Sequence, residues 1–278
     1  MSTATISAQE INKLRQATGA GMMDCRKALM EANGDFEAAI DWLRKQGQKV
    51  AAKRNDREAK EGVVIAQTSA DHTTGIVVCV SCETDFVALN TDFVAFVQSI
   101  ADAALTNNIQ STEELNGVSI GDAKVADLVN DKLAAIGEKI AITKFERVNA
   151  PYVASYIHGA YRIGVLVGLS KENAEVGKDI AMQIAALNPV AVDAASVPAE
   201  VVAREKAIII DVMKEDPKMA GKPEEMLAKI AEGKMGAFFK EQTLTAQAFV
   251  KDGGKTVAEY LKESGDVRVM EFKRVALG

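Results

Sequence analysis

Three strings in this chain have residue types that could do chemistry. Cys79-Val80-Ser81-Cys82 has the C-x-x-C spacing of redox and zinc sites, in which two thiolates meet each other or one ion. The surrounding run, Ile76 to Val80, is rich in β-branched residues and follows the turn signal Thr74-Gly75, so it reads as a strand. Residues three apart on a strand point to opposite faces, and the two sulfurs cannot grip one ion. With only Cys25, His72 and His158 as further ligands, buried cysteines are the expectation. Gly253-Gly254-Lys255-Thr256 ends like a phosphate-binding loop, but the first glycine of that motif would fall at Phe249, so the string reads as a turn before a helix. His158, in Ile157-His158-Gly159-Ala160-Tyr161-Arg162, sits in a hairpin turn with no nucleophile beside it. No catalytic residue, metal or cofactor is expected, and the chain reads as a protein that is not an enzyme.

A fourth string suits contact and not chemistry. Thr84-Asp85-Phe86-Val87-Ala88 follows the strand directly, so the strand should run out into a loop with the Phe86 ring leaving the core. Thr91-Asp92-Phe93-Val94-Ala95 repeats it but continues into Phe96, Val97 and Ile100 at helical spacing, which places Phe93 in the core.

The elements that must carry these strings can be read in order. Ser7 and Glu10 have capping-box spacing, Ile11 and Leu14 share a face, and Gly19 ends the first helix. A second helix starts near Met22 with the core face Met22, Cys25, Ala28, Leu29 and Ala32, and Asn33-Gly34 stops it. On its other face Met23 and Met30 stand beside Arg26 and Lys27, two flexible thioethers among cations, which either bind a partner or tuck against the linker. Asp35 caps a third helix with the stripe Phe36, Ala39, Ile40 and Leu43, closed by Gly47. Lys49 to Lys60 is a charged helical or mobile linker.

Two copies of one unit follow. Val63 to Ile65 and Ile76 to Val78 make a hairpin, helices cover about Thr91 to Ala104 and Asp122 to Ile136, and a strand from Ile140 ends in Phe145-Glu146-Arg147-Val148. Tyr152 to Ile157 and Ile163 to Leu169 make a second hairpin, a helix covers Ala174 to Leu187, and the closing strand ends in Phe272-Lys273-Arg274-Val275. The second copy is longer by about forty positions. That excess reads as two antiparallel helices, one from Val197-Pro198 through Val202 and Ile209 to about Met213, the other lined by Met226, Ile230 and Phe238, with Asp216-Pro217 and Gly221-Lys222-Pro223 at the tip. Such an arm either packs on a partner or folds back as a flap. The expected fold is α+β: a three-helix domain at 1–54, core subdomains with antiparallel sheets at 55–149 and at 150–195 with 244–278, and an inserted helical hairpin at 196–243.

Composition restricts partners. Hydrophobic content of 48% and charged content of 26% are ordinary for a globular protein, and no apolar run approaches the ~18 residues of a membrane span. A net charge of −6 argues against direct nucleic-acid binding. Three cysteines and a polar start without a secretory signal point to the cytoplasm.

Thr18-Gly19-Ala20-Gly21-Met22-Met23-Asp24-Cys25-Arg26-Lys27-Ala28-Leu29, Thr84 to Ala88 and Ile157 to Val167 resemble the bacterial elongation factor Ts family, the nucleotide-exchange partners of elongation factor Tu. The resemblance covers essentially the whole chain. It implies a ubiquitin-associated-like N-terminal domain that docks on the G domain of factor Tu through Arg15, Met22, Met23 and Arg26. It also implies that Phe86, supported by Asp85 and flanked by Thr84 and Val87, wedges between G-domain helices and displaces the Mg²⁺ that ties GDP to the protein. It further implies a factor Tu contact at His158 and a coiled-coil arm for homodimers. Tyr161 precedes Arg162 where many relatives read His-Gly-Ala-Arg, which makes this turn one residue longer. The chain stops just after its closing strand, where some relatives continue into another helical module, so binding is expected to rest on the N-terminal module, the core and the arm. The alternative function is an adaptor of the translation or chaperone machinery without exchange activity.

Overall fold

The computed structural model describes residues 6–54, 56–216, 219 and 221–278. Pro217 of the expected arm tip and Asn55 of the linker lie outside the described residues. Three helices come first: α1 (Ala8–Thr18), α2 (Met22–Glu31) and α3 (Phe36–Arg54). The Ser7–Glu10 capping box forms, and Gly19 ends α1 in the left-handed region with φ 69°. Leu14, Cys25, Ala28, Leu29, Ala39 and Leu43 fill their core.

Two expectations fail here. Met22 is not in the core but 51% exposed, because buried Ala20, just ahead of α2, occupies the end of the helical core. Gly47 does not close α3, which runs on to Arg54. The glycine instead lets α3 lie against another helix: a Cβ at Gly47 would stand 2.5 Å from the Ala134 Cβ.

The core begins with β1 (Glu61–Thr68) and β2 (Thr74–Cys82), then α4 (Asp85–Ala88), α5 (Thr91–Thr106), α6 (Thr112–Gly117), the short pair β3 (Ser119–Ile120) and β4 (Ala123–Lys124), α7 (Val125–Ile136) and β5 (Ala141–Asn149). The helix expected from Asp122 thus starts at Val125, its first residues being taken by the β3–β4 hairpin. The second part has β6 (Tyr152–His158), β7 (Ile163–Leu169), α8 (Ala174–Leu187), α9 (Ala199–Glu215), α10 (Glu224–Gln242), β8 (Ala248–Phe249), β9 (Asp252–Thr256), α11 (Val257–Glu263) and β10 (Val269–Ala276). Gly253 to Thr256 therefore forms a short strand, and Thr256 caps α11 through a capping box with Glu259.

Two three-stranded antiparallel sheets result, ordered β1-β2-β5 and β10-β7-β6. Strands β2 and β7 each turn one face toward a helical layer and the other toward the opposite sheet. Val63, Ile65, Ile76, Val78 and Val80 pack with Phe93, Val97 and Ile100 of α5 and Leu133 of α7. Val165, Val167 and Leu169 pack with Ile180 and Ile184 of α8 and with Leu261 of α11. The inner faces meet through Val64, Val77, Cys79, Val153, Leu166 and Val275.

This closeness has a steric requirement. A Cβ at Gly75 would come 2.7 Å from Val153 Cγ1, and one at Gly164 would come 2.7 Å from Val64 Cγ1. The hairpin turns also cross-link the sheets reciprocally. Val153 N–H donates to the His72 carbonyl at 2.6 Å, and Val64 N–H donates to the Tyr161 carbonyl at 2.8 Å. Glu146 and Lys273, matched positions of the two Phe-x-Arg-Val endings, form an ion pair at 3.1 Å.

The arm is α9 and α10 packed side by side, with Met213, Leu227 and Ala231 at its centre. The return helix buries Leu227, Ala231 and Met235; of its expected face Ile230 packs beside them, Phe238 is half-buried and Met226 lies outside. Met226 is exposed, because α9 packs on the face of Leu227 and Ala231, one residue around from it. Among the described residues no helix is long and apolar enough to cross a membrane.

Candidate functional site

Cys79 and Cys82 are both buried on β2 and belong to different cores, Cys79 between the sheets and Cys82 under α5, so the C-x-x-C string is split by the sheet. Burial, with the negative charge of Glu138 adding to it, pushes the Cys82 thiol up to about 12. Among the described residues no cluster of three His, Cys, Asp or Glu could hold a metal.

The segment after β2 is a one-turn helix and not the expected open loop. Thr84 precedes it in extended conformation, and Ala88 is its only buried residue. Phe86 therefore points outward and is 85% exposed; Leu89, one turn on, is also exposed. Asp85 is exposed and Val87 half-buried. Its sequence repeat behaves oppositely: Phe93 is 1% exposed in the core. The difference is one of position, since Asn90 caps α5 and turns Phe93 inward, onto the sheet.

Two glutamates fix this turn. Glu138 accepts from the Thr84 N–H at 3.0 Å and the Thr84 hydroxyl at 2.8 Å. Glu83 accepts from the Lys139 N–H at 2.6 Å and from Arg57 Nη1 at 3.0 Å. Neither glutamate, nor Leu89, was marked by sequence reasoning. For Leu89 a signal existed, its i+3 spacing from Phe86; for Glu138 none did.

Phe86 and Val87 border a cleft of about 1010 Å³ between the N-terminal helices and α4, α5 and α7. Trp42, Phe96 and Ile136 contribute apolar walls, while Lys27 lies 5.6 Å from the Trp42 ring and Lys132 lies 5.2 Å from that of Phe96. Asp131 on its floor is raised by burial, against the opposing pull of Arg44 at 3.7 Å.

Arg15, Met22, Met23 and Arg26 are all exposed on α1 and α2, Met23 to 71%, but they do not line the cleft. His158 ends β6, apart from the cleft, with its Nδ1 3.0 Å from the Tyr156 hydroxyl. The turn after it holds Gly159, Ala160 and Tyr161 all at positive φ, and Arg162 pairs with Glu61 at 2.6 Å.

An α+β fold whose surface offers apolar side chains on braced turns has the character of a binding protein. The model of the family described as Elongation factor TS matches residues 83–278. Curated proteins named elongation factor Ts are similar along their whole length: that of Christiangramia forsetii is 48% identical over 99% of this chain and 100% of its own. The one from Flavobacterium psychrophilum is 44% identical over 99% and 100%, and the one from Methylococcus capsulatus 43% identical over 99% and 92%. The chain belongs to the elongation factor Ts family of translation elongation factors.

Proposed function

We propose that this protein is a cytoplasmic guanine-nucleotide exchange factor for elongation factor Tu, and that it acts by contact, without catalytic chemistry of its own. The observation that carries the reading is Phe86, a large apolar ring held 85% exposed on a braced turn in a chain of this family. Exposing such a ring costs solvation free energy that a partner's pocket recovers. On docking, Phe86 enters between helices of the G domain, with Asp85, Thr84 and Val87 around it, and the resulting shift displaces Mg²⁺ from the GDP phosphates. Arg15, Met22, Met23 and Arg26 serve as a handle on the same domain, and His158 as a contact on the core. Residues 1–54, 55–149, and 150–195 with 244–278 act as the docking and core units. Residues 196–243 act as an arm for self-association, to which exposed Ile208, Val212 and Met226 are suited.

Stopped-flow release of labelled GDP from factor Tu tests this. Wild type should accelerate release, Phe86→Ala should lower the maximal rate, and Met23→Ala should raise the concentration needed for half-maximal effect. An unaccelerated off-rate with wild type would overturn the exchange reading and leave an adaptor.

A further inference from the structure

The one-turn helix α4 is too short to hold its own conformation, since a single turn does not recover the cost of nucleation. Its first residue is preceded by Thr84, the residue type that normally caps a helix, yet the Thr84 side chain makes no capping bond. Both Thr84 donors go to one carboxylate, Glu138, from 54 positions further along the chain. Glu138 stands just after Gly137, which ends α7 in the left-handed region at φ 79°. From the other side Glu83 takes the Lys139 N–H, so two glutamates cross between two turns. We infer that Glu138 is a positioning residue for Phe86: it fixes the root of α4 and so presents the ring in the pose that enters the partner, a role that rests on the wedge reading above.

Pre-organisation of this kind lowers the ordering cost at docking. The N-terminal handle is separate from this turn, so removing the clamp should act on insertion after capture and leave capture itself in place. α7, whose end Glu138 follows, packs on α3 of the N-terminal helices where Gly47 meets Ala134.

The test uses the full-length chain as wild type, Glu138→Gln, Glu138→Ala, Phe86→Ala and the Phe86→Ala/Glu138→Ala double variant. In the free proteins, amide hydrogen exchange at Thr84 should quicken in Glu138→Ala, with protection in β2 unchanged. In labelled-GDP release from factor Tu, Glu138→Ala should lower the maximal rate about tenfold, as for loss of hydrogen bonds to a charged acceptor, with the half-saturating concentration changed less than about twofold. Glu138→Gln, which keeps one acceptor oxygen, should fall between. In the Phe86→Ala background Glu138→Ala should add nothing. A normal maximal rate in Glu138→Ala, with Thr84 deprotected and Phe86→Ala impaired, would overturn the positioning role alone. A normal rate in Phe86→Ala would overturn the wedge reading beneath it. Additive losses in the double variant, or loss of protection throughout β2, would make Glu138 a general stability residue and also overturn the inference.

Discussion

Truncating the two phenylalanines of the repeated Thr-Asp-Phe-Val-Ala string should have opposite consequences. An aromatic side chain buries about 150–250 Å² when fully enclosed. Phe93, 1% exposed among Val97, Ile100 and the β1–β2 face, loses nearly all of that on replacement by alanine and leaves a cavity. At roughly 25 cal/mol per Å² that enclosure is worth about 4–6 kcal/mol, of the same order as the ~3–5 kcal/mol usual for Phe→Ala in a core. Phe86, 85% exposed, has little to lose, and the same coefficient gives under about 1 kcal/mol. Its interaction with a partner pocket is another matter, and there the loss should be about 2–4 kcal/mol. Urea denaturation followed by circular dichroism measures the first quantity, and GDP release from factor Tu measures the second. Phe93→Ala should shift the urea midpoint strongly, and Phe86→Ala should leave it near wild type while impairing release. Equal midpoint shifts in the two variants would refute the reasoning.

Gly47→Ala should cost about 1–3 kcal/mol, because the new methyl stands 2.5 Å from Ala134. Adding Ala134→Gly should recover part of that despite the ~1 kcal/mol helix cost of glycine, and strictly additive losses would show that the helices do not meet there. The Cys82 pKa is raised on folding from 9.0 to about 12, so its contribution is complete below the unfolded value and is lost as pH climbs from 9.0 toward 12. Wild type should therefore lose more stability than Cys82→Ala between about pH 8 and 10.5 in urea titrations, and parallel losses would exonerate this thiol. Deleting residues 194–240 and joining the ends with a short glycine linker should leave a folded, monomeric protein that still binds factor Tu. The chain segments at the root run side by side, with Val190 N–H donating to the Gln242 carbonyl at 2.8 Å and Leu244 N–H to the Ala191 carbonyl at 3.0 Å. Light scattering that finds aggregates would make the arm part of the core.

Much of this protein follows from period and caps alone. The Ser7–Glu10 box, the left-handed Gly19, the span of α8 and the burial of Phe93 depend on local backbone geometry and on which face of one element is apolar, both of which a sequence carries. The division of Cys79 from Cys82 follows likewise from the two-residue period of a strand. What depended on long-range contact was not legible. Gly47 has the same composition signal whether it ends a helix or lets one pass close to another, and only the arrival of α7 decides between them. Met22 lies on the correct stripe, but a stripe does not say where the core ends, and Ala20 closes it first. The pose of Phe86 depends most on tertiary structure. Its exposure comes from a four-residue helix that local energetics would not hold, fixed by a carboxylate that folding alone brings to Thr84.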